Sequence, residues 1–414
     1  MTSPPLSAAL LTRRVSAALR WLFLAGLVGV LAGTASAVFL ILLTNATGTF
    51  ASQPALIVLL PFAGLLIGWV YWRFGGAAAR GNNLVIEEIH VSVQRVPFRM
   101  APLVLIGTVA THLFGGSAGR EGTAIQMSAS MADTLRRLLR LEASERRLLL
   151  MAAISGGFGS VFGTPAAGFV FGMEVQAAGR MRYEGALPCL IASVVGDLVT
   201  RAWGVGHAHY PQLAQVEIDP MLLMRVVLAS VIFGLASVAF IELTHLVKHT
   251  FQHRIAWAPL RPFIGGIAVI GLTLIVGTND YNGLSLPLIQ RSLNGEEVLL
   301  TVFLLKIVFT AVTLGSGFLG GEVTPLFVIG ATCGAALAPI LGIDAGLLGS
   351  IGFVAVFAGA TNTPIACTMM AVELFGGGGA IYVLVGCVVA YQISGQRSIY
   401  TTQRVATPKW GDER

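Results

Sequence analysis

The chain has 414 residues, of which 55% are hydrophobic, 11% are charged and 50 are glycine. A soluble globule of this length needs more polar surface than this composition provides, so the sequence predicts an all-α protein that crosses a membrane many times. The formal net charge is +6, but the basic residues are grouped in short stretches between apolar segments. That pattern does not favour a nucleic-acid-binding protein.

The N-terminal part of the chain predicts a retained membrane helix. Arg13 and Arg14 precede a long apolar run that lacks a clear small-residue cleavage site, unlike a cleaved signal peptide. Three apolar segments, 20–44, 222–247 and 378–395, approach or reach the ~20 residues that span a bilayer.

Other apolar stretches are short and broken by glycine or proline. They lie beside two glutamates, Glu121 and Glu322, and around Thr164-Pro165 and Thr363-Pro364. Broken helices at membrane depth are tolerated where they line a protein cavity. These stretches therefore predict a central cavity that helix ends face.

The two glutamates also reveal an internal duplication. They lie 201 residues apart, and the same offset aligns several other short segments. Coinciding residues include Gly33 and Gly234, Pro61-Phe62 and Pro262-Phe263, Gly119 and Gly320, and Thr123 and Thr324. At an offset of 199, Thr164-Pro165 meets Thr363-Pro364 and Glu174 meets Glu373. We expect one domain covering 1–414, built from a repeat at about 17–200 and a second at about 218–400.

Basic residues predict that the two repeats are inverted. The stretch 136–147 holds five arginines, whereas its counterpart 337–348 holds no lysine or arginine. The opposite holds for 45–56, which has no basic residue, and 246–262, which has three. Cytoplasmic loops carry the excess of basic residues, so matching loops face opposite sides and both termini are expected in the cytoplasm. The alternative is that these arginines are solvated loop charges without topological meaning.

The Gly-Arg-Glu-Gly-Thr sequence at 119–123 predicts an anion site. Its glycines allow a sharp turn, and a helix is expected to begin at Thr123. A helix N-terminus offers free N–H groups and a partial positive charge to an anion. A Glu121 carboxylate at that terminus could occupy the anion site and leave it when protonated, which would couple anion to proton. The alternative role for Glu121 is a capping acid.

Three motifs together resemble the CLC family of chloride channels and proton-coupled anion exchangers. They are Gly-Arg-Glu-Gly-Thr (119–123), the stretch 163–174, and Gly-Gly-Glu-Val-Thr-Pro (320–325). The resemblance covers essentially the whole membrane region. It implies a homodimer with one pore per subunit and no cofactor, gives Glu121 the gating and proton-accepting role, and places Gly119, Arg120, Gly122 and Val323 around the anion.

Departures from the chloride pattern resemble the fluoride-exporting branch of the family. Where chloride members have a serine, the chain reads Gly81-Asn82, and Glu322 and Thr324 stand at the start of the anion-lining helix. Amide and hydroxyl donors suit a small, strongly hydrated anion such as fluoride. Three alternatives remain: Asn82 as a helix N-cap, Thr324 as a cap before Pro325, and Glu322 as a structural acid instead of an anion or proton ligand.

Two further positions follow from the resemblance. Tyr400 matches the tyrosine that donates its hydroxyl to the central anion from the cytoplasmic side. Val175 stands where proton-coupled chloride members keep a second glutamate, so the inner proton route differs from theirs. The chain ends soon after Tyr400, and we expect no cytoplasmic regulatory domain.

Several other residues receive structural interpretations. The four cysteines are expected to be small core residues, and the histidines at 245, 249 and 253 to form a polar surface face without a metal. Lys306, in an apolar run, is expected to reach the membrane surface or pair with an acid. An intramembrane hydrolase would need Ser117 or Ser316 beside His112, and no coherent dyad is evident.

The sequence as a whole predicts a fluoride/proton antiporter, not an enzyme, without a metal or catalytic residue. It is expected in a prokaryotic cytoplasmic membrane, where it would export fluoride in exchange for protons. A chloride/proton exchanger or passive chloride channel of the same fold is the alternative.

Overall fold

The computed structural model describes the backbone of residues 8–411 and the side chains of residues 15–411, so the side chains of Arg13 and Arg14 lie outside the described residues. The described chain is almost entirely helical. Its first eight α-helices are α1 Ala8–Ser52, α2 Leu60–Val70, α3 Asn82–Val91, α4 Met100–Leu113, α5 Glu121–Leu138, α6 Ala143–Phe162, α7 Pro165–Glu174 and α8 Ala186–Ala202. The next eight are α9 Pro220–Arg254, α10 Leu260–Val276, α11 Leu286–Leu293, α12 Thr301–Ser316, α13 Val323–Leu341, α14 Ala345–Thr361, α15 Pro364–Phe375 and α16 Ala380–Ile393.

Helices α1–α8 and α9–α16 pack in the same pattern. Helix α1 packs on α8 as α9 packs on α16, α5 packs on α6 as α13 packs on α14, and α6 packs on α8 as α14 packs on α16. The chain thus repeats one arrangement of eight helices, as the 201-residue offset predicts.

Contacts between the two sets join counterpart helices: α2 with α10, α5 with α13, and α7 with α15. At the α2–α10 contact, the rings of Phe62 and Phe263 pack edge to face with centroids 5.8 Å apart. A Cβ on Gly64 would lie 2.7 Å from the carbonyl oxygen of Pro262. Equivalent residues therefore meet across a pseudo-twofold axis, which requires glycine at the closest approach.

The helices differ in whether they are long enough to cross a membrane. Among the described residues, five helical stretches are long and apolar enough to cross a membrane: Val15–Ser52, Pro54–Val91, Tyr183–Ala202, Pro220–Arg254 and Val323–Leu341. Helices α3, α7, α11 and α15 have only 8 to 12 residues. Because helices this short cannot span a bilayer, their terminal N–H groups need partners from elsewhere in the molecule wherever they lie at membrane depth.

The C-terminal segment folds back onto the helices. Strand β2 (Arg404–Val405) pairs in parallel with β1 (Ala177–Ala178), which follows α7. The Lys409 ammonium donates to the Asn362 Oδ1 at 2.6 Å and the Ser394 Oγ at 3.0 Å. These contacts hold the segment that carries Tyr400 against the helical core.

Candidate functional site

The two glutamate motifs meet at a short antiparallel bridge. The Gly119 N–H donates to the Gly321 carbonyl at 2.6 Å, and the Gly321 N–H donates to the Gly119 carbonyl at 2.8 Å. A Cβ on Gly321 would lie 2.9 Å from the backbone nitrogen of Gly122. Glycine at 321 therefore lets the starts of α5 and α13 approach each other, one from each repeat.

Glu121 links the two repeats at this point. It is fully buried and is the first residue of α5, which begins two residues before the predicted start at Thr123. Its Oε2 accepts hydrogen bonds from the backbone N–H groups of Arg120 and Thr324, both at 3.1 Å. Its Oε1 accepts a hydrogen bond from the Thr324 hydroxyl. The Glu121 carboxylate thus lies at the N-terminus of α13, where an anion would bind.

Arg120 places a positive group beside this carboxylate. Its Nε lies 3.6 Å from the Glu121 Oε1, and its guanidinium carbon lies 5.9 Å from the centre of the Phe162 ring. A carboxylate that accepts several hydrogen bonds is strongly held, since each such bond to a charged group contributes about 1.5–3 kcal/mol. An anion that replaces the carboxylate would have the same donors available.

Thr324 and Val323 open α13 and are both buried. The N-cap position belongs to Glu322, and the Thr324 hydroxyl points at Glu121 instead of capping its own helix. Glu322 is half-buried, and its carboxyl has no hydrogen bond or ion pair with another described residue. Glu322 therefore directly precedes the start of α13, which binds the Glu121 carboxylate, but it forms no hydrogen bond with that carboxylate.

Asn82 packs against Gly122, the residue that follows Glu121. It begins α3, whose N-cap is Gly81 at φ +57°, and its side chain makes no capping hydrogen bond. A Cβ on Gly122 would lie 2.7 Å from the Asn82 Nδ2. The Asn82 Oδ1 is buried and has no hydrogen-bond partner among the described residues. The arrangement gives no support to the capping alternative for Asn82.

A small cavity of about 10 Å³ is lined by both Asn82 and Tyr400. Its wall is formed by Asn82, Val85, Ile86, Ile125, Ile154, Phe171, Val175 and Tyr400. Tyr400 is 4% exposed. A volume of roughly 10–15 Å³ on this scale holds one water-sized particle. The cavity is therefore about the size of one water-sized particle, and its exposed wall is apolar.

Two contacts that the sequence did not predict fix Tyr400 beside α3. The Thr402 hydroxyl donates to the Asn83 carbonyl at 2.9 Å, and the Ile399 N–H donates to the Ala360 carbonyl at 3.0 Å. These partners are far apart in the chain, so no local pattern identifies them. The C-terminal segment thereby closes the cavity next to the start of α3.

At the α7–α15 contact, the N–H groups at the start of each helix donate to a glutamate carboxylate near the end of the other helix. Glu174, at the end of α7, accepts from the N–H groups of Ile365 and Ala366 at 3.1 and 2.8 Å. Glu373, near the end of α15, accepts from those of Ala166 and Ala167 at 2.8 and 2.7 Å. The 199-residue offset had aligned these two glutamates, but their reciprocal capping was not predicted.

The cysteines and histidines lie outside the candidate anion site. The cysteines at 189, 333, 367 and 387 are buried and unpaired, as predicted. No group of three or more metal-ligating side chains occurs among the described residues. Both ring nitrogens of His112 face backbone carbonyls, at 2.8 and 3.0 Å, and neither Ser117 nor Ser316 forms a hydrogen bond to that ring. The hydrolase dyad is therefore not formed.

The prediction for Lys306 was wrong. Its side chain is fully buried, neither reaching the surface nor pairing with an acid, and its ammonium group donates to two serine hydroxyls and two backbone carbonyls. Neutral oxygens from two separate loops accept the hydrogen bonds of its ammonium group. The local sequence around Lys306 does not predict that these loops lie beside it.

Comparison with known proteins identifies the family to which the chain belongs. Residues 63–395 match the family described as voltage gated chloride channel. The chain is 49% identical over 396 residues to a chloride/fluoride channel protein of Pseudomonas syringae pv. tomato, covering 94% of this chain and 87% of the relative. It is 27% identical over 414 residues to the H(+)/Cl(-) exchange transporter ClcA of Vibrio vulnificus, covering 92% of this chain and 88% of that protein.

Solved structures show the same fold. A CLC-type fluoride/proton antiporter superposes with a TM-score of 0.91 at 32% identity, covering 97% of this chain and 100% of that one. A slow cyanobacterial Cl-/H+ antiporter superposes with a TM-score of 0.78 at 19% identity, covering 92% and 96%, and this likeness concerns the fold alone. The predicted all-α inverted-repeat fold is confirmed, and the chain belongs to the voltage-gated chloride channel, or CLC, family of membrane proteins.

Proposed function

We propose that this protein exports fluoride from the cytoplasm in exchange for protons. The observation that carries the proposal is the Glu121 carboxylate at the N-terminus of α13, held by the hydroxyl and backbone N–H of Thr324. The identity to a chloride/fluoride channel protein and the likeness to a fluoride/proton antiporter support the choice of substrate.

Coupling follows from competition for one set of donors. The ionised carboxylate of Glu121 and a free anion both need the donors at the start of α13, so they cannot occupy them together. Protonation removes the negative charge of Glu121 and weakens its charge-assisted hydrogen bonds. An anion can then take the position, and the protonated side chain can deliver its proton on the opposite side.

The donors favour a small, hard anion. Fluoride is strongly hydrated, and leaving water requires hydrogen bonds of comparable strength. The Thr324 hydroxyl and the N–H groups at the α13 start provide them, and Glu322 in its protonated form would add an O–H donor nearby.

Chloride/proton exchange, or passive chloride flow, is the second candidate function. It is favoured by the 27% identity to ClcA exchangers over 92% of the chain. The Tyr400 phenol at the central cavity would serve chloride as well as fluoride. The two functions differ in which halide crosses faster and in whether its movement requires protons.

We also propose the surroundings in which the protein works: a prokaryotic cytoplasmic membrane, both termini on the cytoplasmic side, and a homodimer with one pore in each single-domain subunit. The exposed Arg140 in the α5–α6 connection supports the orientation, together with the basic residues that flank it at the ends of α5 and α6. Exposed apolar side chains on α8, α15 and α16, including Leu190, Leu198, Ile365 and Val388, support a face that another subunit covers.

The test is halide efflux from liposomes that contain the purified protein. Fluoride-selective and chloride-selective electrodes follow the two ions, with and without a protonophore. We expect fluoride to leave much faster than chloride, and its efflux to accelerate when the protonophore dissipates the proton gradient. Chloride efflux as fast as fluoride efflux would contradict the fluoride assignment. A fluoride efflux rate that is the same with and without the protonophore would contradict antiport.

A further inference from the structure

Lys306 is a buried cation that the proposed transport mechanism does not use. It lies in the apolar helix α12 and its side chain is 0% exposed. Burying an ammonium group is costly unless it is paired or fully hydrogen-bonded. No acidic side chain of the described residues interacts with it. Its surroundings must therefore solvate the charge in another way.

Four neutral oxygens surround the Lys306 Nζ. They are the hydroxyls of Ser117 at 2.9 Å and Ser285 at 2.8 Å, and the carbonyls of Tyr281 at 3.1 Å and Gly283 at 3.0 Å. We call these four groups the oxygen cage. Neutral hydroxyl and carbonyl oxygens are the kind of ligand that hard metal cations take in proteins. The ammonium of Lys306 occupies the cage as a cation tethered to the chain.

The oxygen cage joins the two repeats. Ser117 lies in the α4–α5 connection of the first repeat, four positions before Glu121. Tyr281, Gly283 and Ser285 lie in the α10–α11 connection of the second repeat. A second cross-contact runs in parallel, since the Asn282 Nδ2 donates to the carbonyl of Gly115 at 2.8 Å.

The segment 115–119 is held at successive residues on its way to Glu121. The Ser117 N–H donates to the Thr313 hydroxyl at 3.2 Å, and the Ser117 hydroxyl lies 3.0 Å from that of Thr310. The His112 Nε2 lies 3.0 Å from the Ala118 carbonyl. Gly119 then forms its bridge to the second repeat. Lys306 brings the one charged group among these contacts.

We propose that Lys306 is a positioning residue for Glu121: its tethered charge, bound in the oxygen cage, fixes the segment 115–119 and so aims the carboxylate at the start of α13. Without the ammonium group, four buried oxygens lose their common donor and the segment relaxes. Glu121 then reaches the Thr324 donors less often, and anions pass without a matching proton. This inference rests on the proposed role of Glu121 in exchange.

The first test compares Lys306→Met with the wild type in liposomes, using whichever halide the wild type couples to protons. Failure of the fluoride assignment therefore leaves this test intact. We expect the number of protons moved per halide to fall at least about tenfold, as for the loss of one hydrogen bond to a charged group. Halide flux itself persists. Wild-type coupling in the variant overturns the proposal.

A second test asks whether charge is the active property. Lys306→Ala empties the oxygen cage, and we add methylammonium or Na⁺ to the assay. Partial recovery of coupling by the cations, with none from neutral glycerol, is the expected result. A folded Lys306→Ala protein whose coupling no cation restores overturns the role of the charge.

A milder pair of variants covers the case in which loss of Lys306 prevents folding. Ser285→Ala removes one cage ligand, whereas Ser292→Ala removes a buried hydroxyl that donates only to the Leu288 carbonyl of its own helix at 2.8 Å. We expect reduced coupling in the first variant and wild-type coupling in the second. Equal coupling in both contradicts the proposal.

Discussion

Glu121 and Thr324 are separated by 203 positions in the chain, yet the threonine hydroxyl and N–H both bind the glutamate carboxylate. The sequence identified both residues, because a carboxylate in a glycine-rich break of an apolar segment is conspicuous. Their contact depends on the Gly119–Gly321 bridge, which sets the register between the repeats. That register has no local signal, so the residues were predictable and their pairing was not.

Thr324→Val tests the hydroxyl donor at this site. Valine keeps the shape and the backbone N–H but removes the O–H. We expect the fluoride concentration for half-maximal transport to rise about tenfold or more, as for one hydrogen bond to a charged group. Thr332→Val is the matched control, because the Thr332 hydroxyl donates only to carbonyls of α13. Equal fluoride dependence in the two variants would exclude Thr324 as an anion ligand.

Gly321→Ala tests the close approach of the two motifs. The added Cβ would lie 2.9 Å from the nitrogen of Gly122 and 3.1 Å from that of Glu121. Overpacking of this kind costs about 1–3 kcal/mol, so we expect transport to fall about tenfold or more. Gly271→Ala, where the new methyl meets nothing within 4 Å, should transport normally. Normal rates for Gly321→Ala would show that the bridge tolerates separation.

At the scale of helices, the short elements were predictable and their partners were not. Gly and Pro interruptions indicated broken helices around both glutamate motifs and at Thr164-Pro165 and Thr363-Pro364, and α5, α7, α13 and α15 begin there. The N-terminal N–H groups of α7 donate to Glu373 and those of α15 donate to Glu174, so each helix is capped by the opposite one. Sequence patterns describe one helix at a time, so they do not predict that a glutamate of one helix caps the N-terminus of another.

Loss of either cap should destabilise the fold. Glu174→Ala or Glu373→Ala leaves two N–H groups without their charged acceptor, and each such bond contributes about 1.5–3 kcal/mol. We expect the unfolding temperature in detergent to drop by several degrees, followed with a dye that reacts with the four buried cysteines as they become exposed. Glu242→Ala removes an exposed ion pair with Arg397 and should change little. Equal unfolding temperatures for all three variants would contradict the capping role.

At the scale of the molecule, inversion of the repeats is what aims two helix starts at one site. The basic residues at 136–147 and 246–262 predicted this arrangement from the sequence, and the packing of α1–α8 repeats in α9–α16. The closing of the central cavity by Tyr400 was taken from family resemblance alone. It depends on the Thr402–Asn83 contact, which spans 319 positions.

Equivalent positions should therefore face opposite sides of the membrane. Gln53 and Arg254 are exposed, lie after α1 and at the end of α9, and are 201 residues apart. We expect Gln53→Cys to react with a membrane-impermeant maleimide from outside the cell and Arg254→Cys only from inside. The buried native cysteines give a low background. Labelling of both positions from the same side would exclude inverted repeats.

The central claim is that one carboxylate, Glu121, exchanges places with the transported anion and carries its proton. The most direct measurement is proton uptake into liposomes driven by an outward fluoride gradient, for the wild type and for Glu121→Gln. We expect proton uptake against its gradient with the wild type and none with the variant, since glutamine can bind the α13 donors but cannot take up a proton. Undiminished proton uptake by Glu121→Gln would contradict it.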